Sequence, residues 1–241
     1  MKYCLILALV LIATLNAAAQ AQSPAAAADR FAAERELAKL AVEAHGGDKV
    51  RNMRTLVIRG SVEVNTGNFP IAGTFVTIFS GEKYRIDITN PFQPLTQVFD
   101  GKQTSSTVPG GFSLPPVNRL GFPMLPMIGQ QGFIITALPE GKKKRVGFRL
   151  TSPEAFYTDF YLDPKTNQIK GYDSVYQMQG RSVTTSVEID RLKMVEGVMV
   201  PERYVQRFDI GTMTVYANFR AREILVNSLV ADDVFALATA E

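Results

Sequence analysis

The chain has 241 residues, with 26 Lys and Arg against 23 Asp and Glu, one histidine, one cysteine and no tryptophan. A formal net charge of +3 is too near balance to leave an electrostatic footprint for nucleic acid. The one cysteine, Cys4, falls in a segment expected to be removed, which excludes disulfides, thiolate catalysis and cysteine-ligated zinc from what remains.

That first segment, MKYCLILALVLIATLNAAAQAQS, carries Lys2, runs apolar from Leu5 to Leu15 and closes on small residues. The order predicts a secretory signal peptide over residues 1–21, too short for a permanent membrane anchor. Cleavage after Ala19 or after Ala21 satisfies the small-x-small rule equally well. Cys4 lies too early in the segment for a lipidated amino terminus. The expectation is an exported protein of roughly 220 residues, one domain over 22–241, held by a single large core.

From Ala25 to Ala44 the chain is rich in helix formers, and Phe31, Leu37, Leu40, Ala41 and Ala44 fall on one stripe, which predicts an amphipathic helix. Gly46 and Gly47 end it, and Asp48 is placed to cap a short second turn, DKVRNM. His45 stands just before the paired glycines. With no accompanying nucleophile or second ligand, it reads as a helix terminator meeting the last carbonyls and the negative end of the dipole.

After Arg54 the hydrophobic period changes to two. LVIRGSVEV, IAGTFVTIF, EKYRIDI, KRVGFRL, AFYTDFYL, QIKGYDSVYQM, RSVTTSVEIDRLKMV, VPERYVQRFDI and TVYANFRAREILVN all alternate, with turn signals such as Ser80-Gly81-Glu82, Asp100-Gly101 and Glu196-Gly197 between them. The pattern predicts a mainly β fold with α (α+β), a curved antiparallel meander of about 10–11 strands, nearly closed into a barrel. Lys142 to Arg145, the one basic cluster, reads as a solvated turn or as a contact for anionic headgroups.

Ser113 to Phe133, SLPPVNRLGFPMLPMIGQQGF, breaks the pattern. Prolines at 115, 116, 123 and 126 forbid a long helix or a central strand, so the segment is either a packed plug or a mobile cover over the sheet.

Motifs for chemistry are missing. No G-x-S-x-G elbow, H-E-x-x-H helix, calcium loop or phosphate-binding glycine loop occurs, and Gly110-Gly111 belongs to a turn. Asp87, Asp159, Glu188 and Asp190 could supply paired carboxylates, but they sit beside Arg or Lys at outward positions and read as solvated strand faces. The charged, mixed strand faces also argue against an outer-membrane barrel. What remains is an aromatic payload of 15 Phe and 8 Tyr in a curved sheet, able to fill a core or wall a cavity for an apolar ligand.

Several phrases converge on a known family: EAHGGDKVRNMRTLVIRGSV, the Asp100-Gly101 turn, FYLDPKTNQIKGY, VEGVMVPERYVQRF and AREILVNSLVADDVFAL. From about Phe31 to Leu237 the chain resembles the LolA/LolB-like lipoprotein-sorting superfamily. The resemblance implies an unclosed β barrel wrapped around the amino-terminal helix, with a lid over an apolar cavity that receives lipoprotein acyl chains. The lid would be the proline-broken 113–133 segment.

The resulting expectation is a non-enzymatic carrier with no cofactor or metal, whose partner is a lipoprotein acyl chain or another lipid. Phe122, Met124, Leu125, Met127 and Ile128 are its candidate cover, and Phe75, Phe79, Tyr84, Phe148 and Phe160 its candidate walls. The alternative is a structural or interaction domain of the cell envelope, with a fully packed core and another envelope protein as partner. A hydrolase would need two carboxylates within about 5 to 10 Å in a cleft.

Overall fold

The structure is a computed structural model and describes residues 30–237, apart from 66–68, 93, 108–113, 115, 142–144, 179–180 and 211–212. The expected signal peptide, the first residues of the expected helix, the Gly110-Gly111 turn and Lys142 to Lys144 lie outside the described residues.

Alternation of apolar and polar residues resolves into twelve strands of one antiparallel, unclosed sheet. They are β1 (Thr55–Asn65), β2 (Pro70–Ser80), β3 (Lys83–Thr89), β4 (Leu95–Phe99), β5 (Thr104–Ser106), β6 (Ile134–Thr136), β7 (Gly147–Thr151), β8 (Tyr157–Leu162), β9 (Ile169–Met178), β10 (Arg181–Val195), β11 (Val198–Ile210) and β12 (Met213–Val226). The count exceeds the expected 10–11 because β4, β5 and β6 are too short to show a period. The spatial order is β5-β4-β3-β2-β1-β12-β11-β10-β9-β8-β7-β6, so β1 and β12 pair at the centre and β5 and β6 form the two edges.

The sheet forks at its middle. β11 pairs with β12 from Arg203↔Arg220 to Ile210↔Met213. Beyond Arg203, β11 stays with β10 while β12 stays with β1. The corner after the first helix fits at this fork: Met199 N–H of β11 donates to the His45 carbonyl at 2.9 Å. Gly46, at φ 121°, is required there because a Cβ would lie 2.2 Å from the Gly197 carbonyl oxygen.

Helix α1 (Ala32–Ala44) packs against β6 and β7. Its buried stripe is Ala38, Ala41, Val42 and His45, while Leu40 is 37% exposed. The expected stripe holds at Ala41 and at Leu37, which packs against the core, and fails at Leu40. Alanines facing the strands let the helix backbone approach closely, and the larger leucine is turned outward. Helix α2 (Asp48–Arg51) has Gly47, not Asp48, at its cap position; Asp48 lies in its first turn and pairs with Arg51 at 3.2 Å.

The inner face of the sheet, α1 and the segment Phe122–Met127 share one core that includes Leu56, Phe148, Phe160, Val200 and Ile224. Each fully buried side chain of this size contributes about 1.5–3 kcal/mol. On the outer face, Phe235 of the 3-10 turn Asp232–Phe235 covers Val57, Ile78 and Val98 as a second, smaller core.

His45 is fully buried and its Nδ1 hydrogen-bonds the Ala41 carbonyl at 3.0 Å, so it closes the helix end as expected. It does so as a neutral ring and not as a cation on the dipole, because burial lowers its pKa below the ordinary value. Its Nε2 is buried with no hydrogen-bond partner among the described residues, and the ring lies 5.9 Å from that of Phe122. With the folded pKa depressed, the unfolded chain binds a proton that the folded chain does not, so stability falls as pH drops through about 6.5. Since this is the sole histidine, His45→Gln is expected to flatten the decline of melting temperature between about pH 7.5 and 5.5. Circular-dichroism melts of both proteins check it, and an unchanged slope would assign the decline to another group.

Candidate functional site

The concave face is filled unevenly. Toward α1, the helix and Phe122–Met127 occupy it; toward the Asn65 end of β1 and the Met213 end of β12 a recess of about 220 Å³ remains. Its walls are alternate residues of the central strands: Ile58, Val62 and Val64 of β1, Phe75, Thr77 and Phe79 of β2, Ile86 and Ile88 of β3, Tyr204, Gln206 and Phe208 of β11, Val215, Ala217 and Phe219 of β12. Tyr172, Thr185, Leu114, Val117 and Leu120 complete it, and among the described residues no charged side chain lines it.

The walls are braced by ring packing. Tyr204 stacks on Phe219 at 4.8 Å, and Phe75 meets Phe219 edge-on at 5.0 Å. Burial pushes the Tyr172 and Tyr204 phenols well above their usual pKa range, which keeps both neutral. Gln206 donates to the Thr185 hydroxyl at 2.9 Å, so these wall amide and hydroxyl groups partner each other.

The described part of the connection from edge strand β5 to edge strand β6 roofs this face. Among its described residues, two 3-10 turns form, Val117–Arg119 and Phe122–Met127, the second limited by Pro123 and Pro126. Side chains anchor it in place of regular pairing. Gln97, fully buried, donates through Nε2 to the Leu114 carbonyl at 3.0 Å and accepts the Leu114 N–H on Oε1. Gly121 N–H donates to the Thr158 hydroxyl at 3.0 Å, itself 2.9 Å from Ser174. Gly121 has no room for a side chain, since a Cβ would lie 2.3 Å from the Tyr172 ring. Arg119 pairs with Glu82 in the β2–β3 turn and with Glu154 in the β7–β8 turn at 3.2 Å, tying the roof to both halves of the sheet. Asn118 donates to the Glu82 carbonyl at 2.8 Å, and its Oδ1 is buried without a partner among the described residues.

No protein-family model matches the sequence, and no curated protein does. Among solved structures, the chain aligns with a LolA-superfamily protein of Nitrosomonas europaea at a TM-score of 0.53 and 11% identity, over 85% of this chain and 97% of the other. The fold is LolA-like. A DUF1329-family protein of Desulfovibrio piger aligns at a TM-score of 0.48 and 11% identity, over 84% of this chain and 97% of that one. An outer membrane lipoprotein-sorting protein domain of Vibrio parahaemolyticus aligns at 0.45 and 8%, over 84% and 96%. At such identities the likeness is one of fold alone.

Within the LolA-like sheet, the residues predicted as walls and cover separate. Phe75 and Phe79 border the recess. Tyr84, Phe148 and Phe160 are fully buried, Tyr84 accepting from Gln97 at 2.8 Å and the two phenylalanines packing at 5.3 Å. Met124 and Leu125 are fully buried in the core, and Ile128 packs against it. Phe122 borders a smaller void between the roof and the sheet, and Met127 another. Tyr172 of β9, Tyr204, Gln206 and Phe208 of β11 and Phe219 of β12 also line the recess, from strands on which the sequence predicts no wall residue.

Of the four candidate strand carboxylates, Glu188 is exposed, as expected, and the other three pair with arginines in place. Asp87 pairs with Arg85 at 2.7 Å, Asp159 with Arg149 at 2.6 Å and Asp190 with Arg203 at 2.7 Å. Asp159 departs from the expected solvated position, being 5% exposed beneath Arg149, whose guanidinium stacks 3.9 Å from the Tyr157 ring. Arg145 of the basic cluster lies 4.2 Å from the Tyr161 ring. Among the described residues, no helix is long and apolar enough to cross a membrane.

Thr158→Val keeps the shape and removes the hydroxyl that receives Gly121 N–H. It is expected to cost about 1–3 kcal/mol, the penalty for a buried unpaired donor. Urea denaturation measures this, and a loss below about 0.5 kcal/mol would show that the hydroxyl does not hold the roof.

Proposed function

We propose that the protein is an exported, periplasmic carrier, without enzymatic activity, that holds an acyl chain of a lipoprotein or another lipid on the inner face of its sheet. The observation that carries this reading is the uncharged recess of about 220 Å³, walled by aliphatic and aromatic side chains. In this reading the sheet curls about α1, and the segment 113–133 acts as the cover over the chain.

Magnitudes agree with reversible carriage. At about 30 Å³ per water-sized group, the recess has room for about seven such groups, a segment of an acyl chain. About seven methylenes at about 0.8 kcal/mol each yield about 6 kcal/mol. Lost freedom on association costs about 4–15 kcal/mol. Gain and cost are of similar size, so the chain is held reversibly. The recess also favours this reading over an interaction domain with a fully packed core.

Native mass spectrometry of gently purified protein is expected to show one lipid bound, or one taken up on incubation. A protein with none bound and none taken up would overturn the proposal. Val215→Trp, which places an indole at the half-buried wall, is expected to reduce uptake at least about tenfold with little change in melting temperature.

A further inference from the structure

Two smaller voids continue the recess under the roof. The first, about 50 Å³, shares Ile58, Phe79, Tyr172 and Tyr204 with the recess. The second, about 60 Å³, shares Leu56, Phe79 and Pro123 with the first and ends at Met53 and Met127. Phe79 borders all three.

We propose that Phe79 is the partition of a single bent channel, and that it sets the length of the apolar chain the protein accepts. The inference rests on the carrier reading and deepens it. Phe79 closes β2 just before the turn at Gly81, is half-buried, and among the described residues carries no ring stacked on it, unlike Phe75 and Tyr204. A rotation of its side chain therefore breaks no aromatic pair and no hydrogen bond. The inner voids have room for about two water-sized groups each, and Leu56, Pro123 and Phe122 give the nearer one an apolar wall. An unbranched chain fits this path; a branched or ring-bearing ligand does not pass the Phe79 neck. With Phe79 as it stands, a chain ends against the ring. With a smaller residue there, the same chain continues beneath the Phe122–Met127 turn.

Displacement of a fluorescent fatty acid by saturated fatty acids of about eight to about eighteen carbons reads the length profile directly. Phe79→Ala and Phe79→Leu are expected to move the preference toward longer chains, improving the longest relative to the shortest about tenfold, as two further buried methylenes would. Phe79→Trp is expected to move it the other way. Leucine and tryptophan keep most of the local packing, so the pair decides the matter even if the alanine variant does not fold. Wild-type binding with the same length profile in every variant overturns the partition and leaves the carrier reading intact. Failure of the wild type to bind any chain overturns the carrier reading itself.

Discussion

Pairing of the first strand with the last governs the rest of this molecule. Ten register pairs join β1 to β12, from Leu56↔Val226 to Asn65↔Tyr216, and place both at the centre of the sheet. Every other strand must then be added outward, so the two edges, β5 and β6, fall in the middle of the chain. The segment that connects them has to cross from one edge to the other. That requirement, not any helical or strand propensity of its own, puts a proline-rich stretch across the inner face.

A chain that crosses a buried face without joining the sheet must still satisfy its backbone. Buried Gln97 and Thr158 do so here, one presenting an amide that mimics a paired strand, the other a hydroxyl shared with Ser174. These anchors fix the roof at separate points and leave the space between them to side-chain packing. Near α1, Met124 and Leu125 are fully buried. Farther along, the stacked rings of Tyr204 and Phe219 hold the wall apart from the roof, and a gap persists. A wall braced by ring contacts cannot relax inward as isolated aliphatic side chains would.

Much of this fold is written in local patterns. Alternation over nine segments identifies the long strands, and Gly46-Gly47 marks the end of α1. Strand order is not local information, which is why the fork between β11 and β12 and the insertion of the helix corner into it have no signature. The stripe of α1 is legible at Leu37 and Ala41 but not at Leu40, because close approach to β6 and β7 favours Ala38 and Ala41 over a leucine facing the strands. The recess is partly legible for the same reason as the sheet. Tyr204, Gln206 and Phe208 lie on one face by alternation alone, but which half of a face is covered by the roof depends on anchors such as Gly121 to Thr158. The aromatic residues picked by composition were therefore divided between wall and solid core.

An unclosed sheet has two rims where backbone groups lack neighbours, and such rims recruit strands from other molecules. Here β5 and β6 are three residues each, Thr104–Ser106 and Ile134–Thr136, while the strands at the centre run to 11 and 14. The sheet tapers toward both rims, so an incoming strand finds almost no ladder to extend. The protein can keep an open, greasy interior without offering copies of itself a seam along which to polymerise.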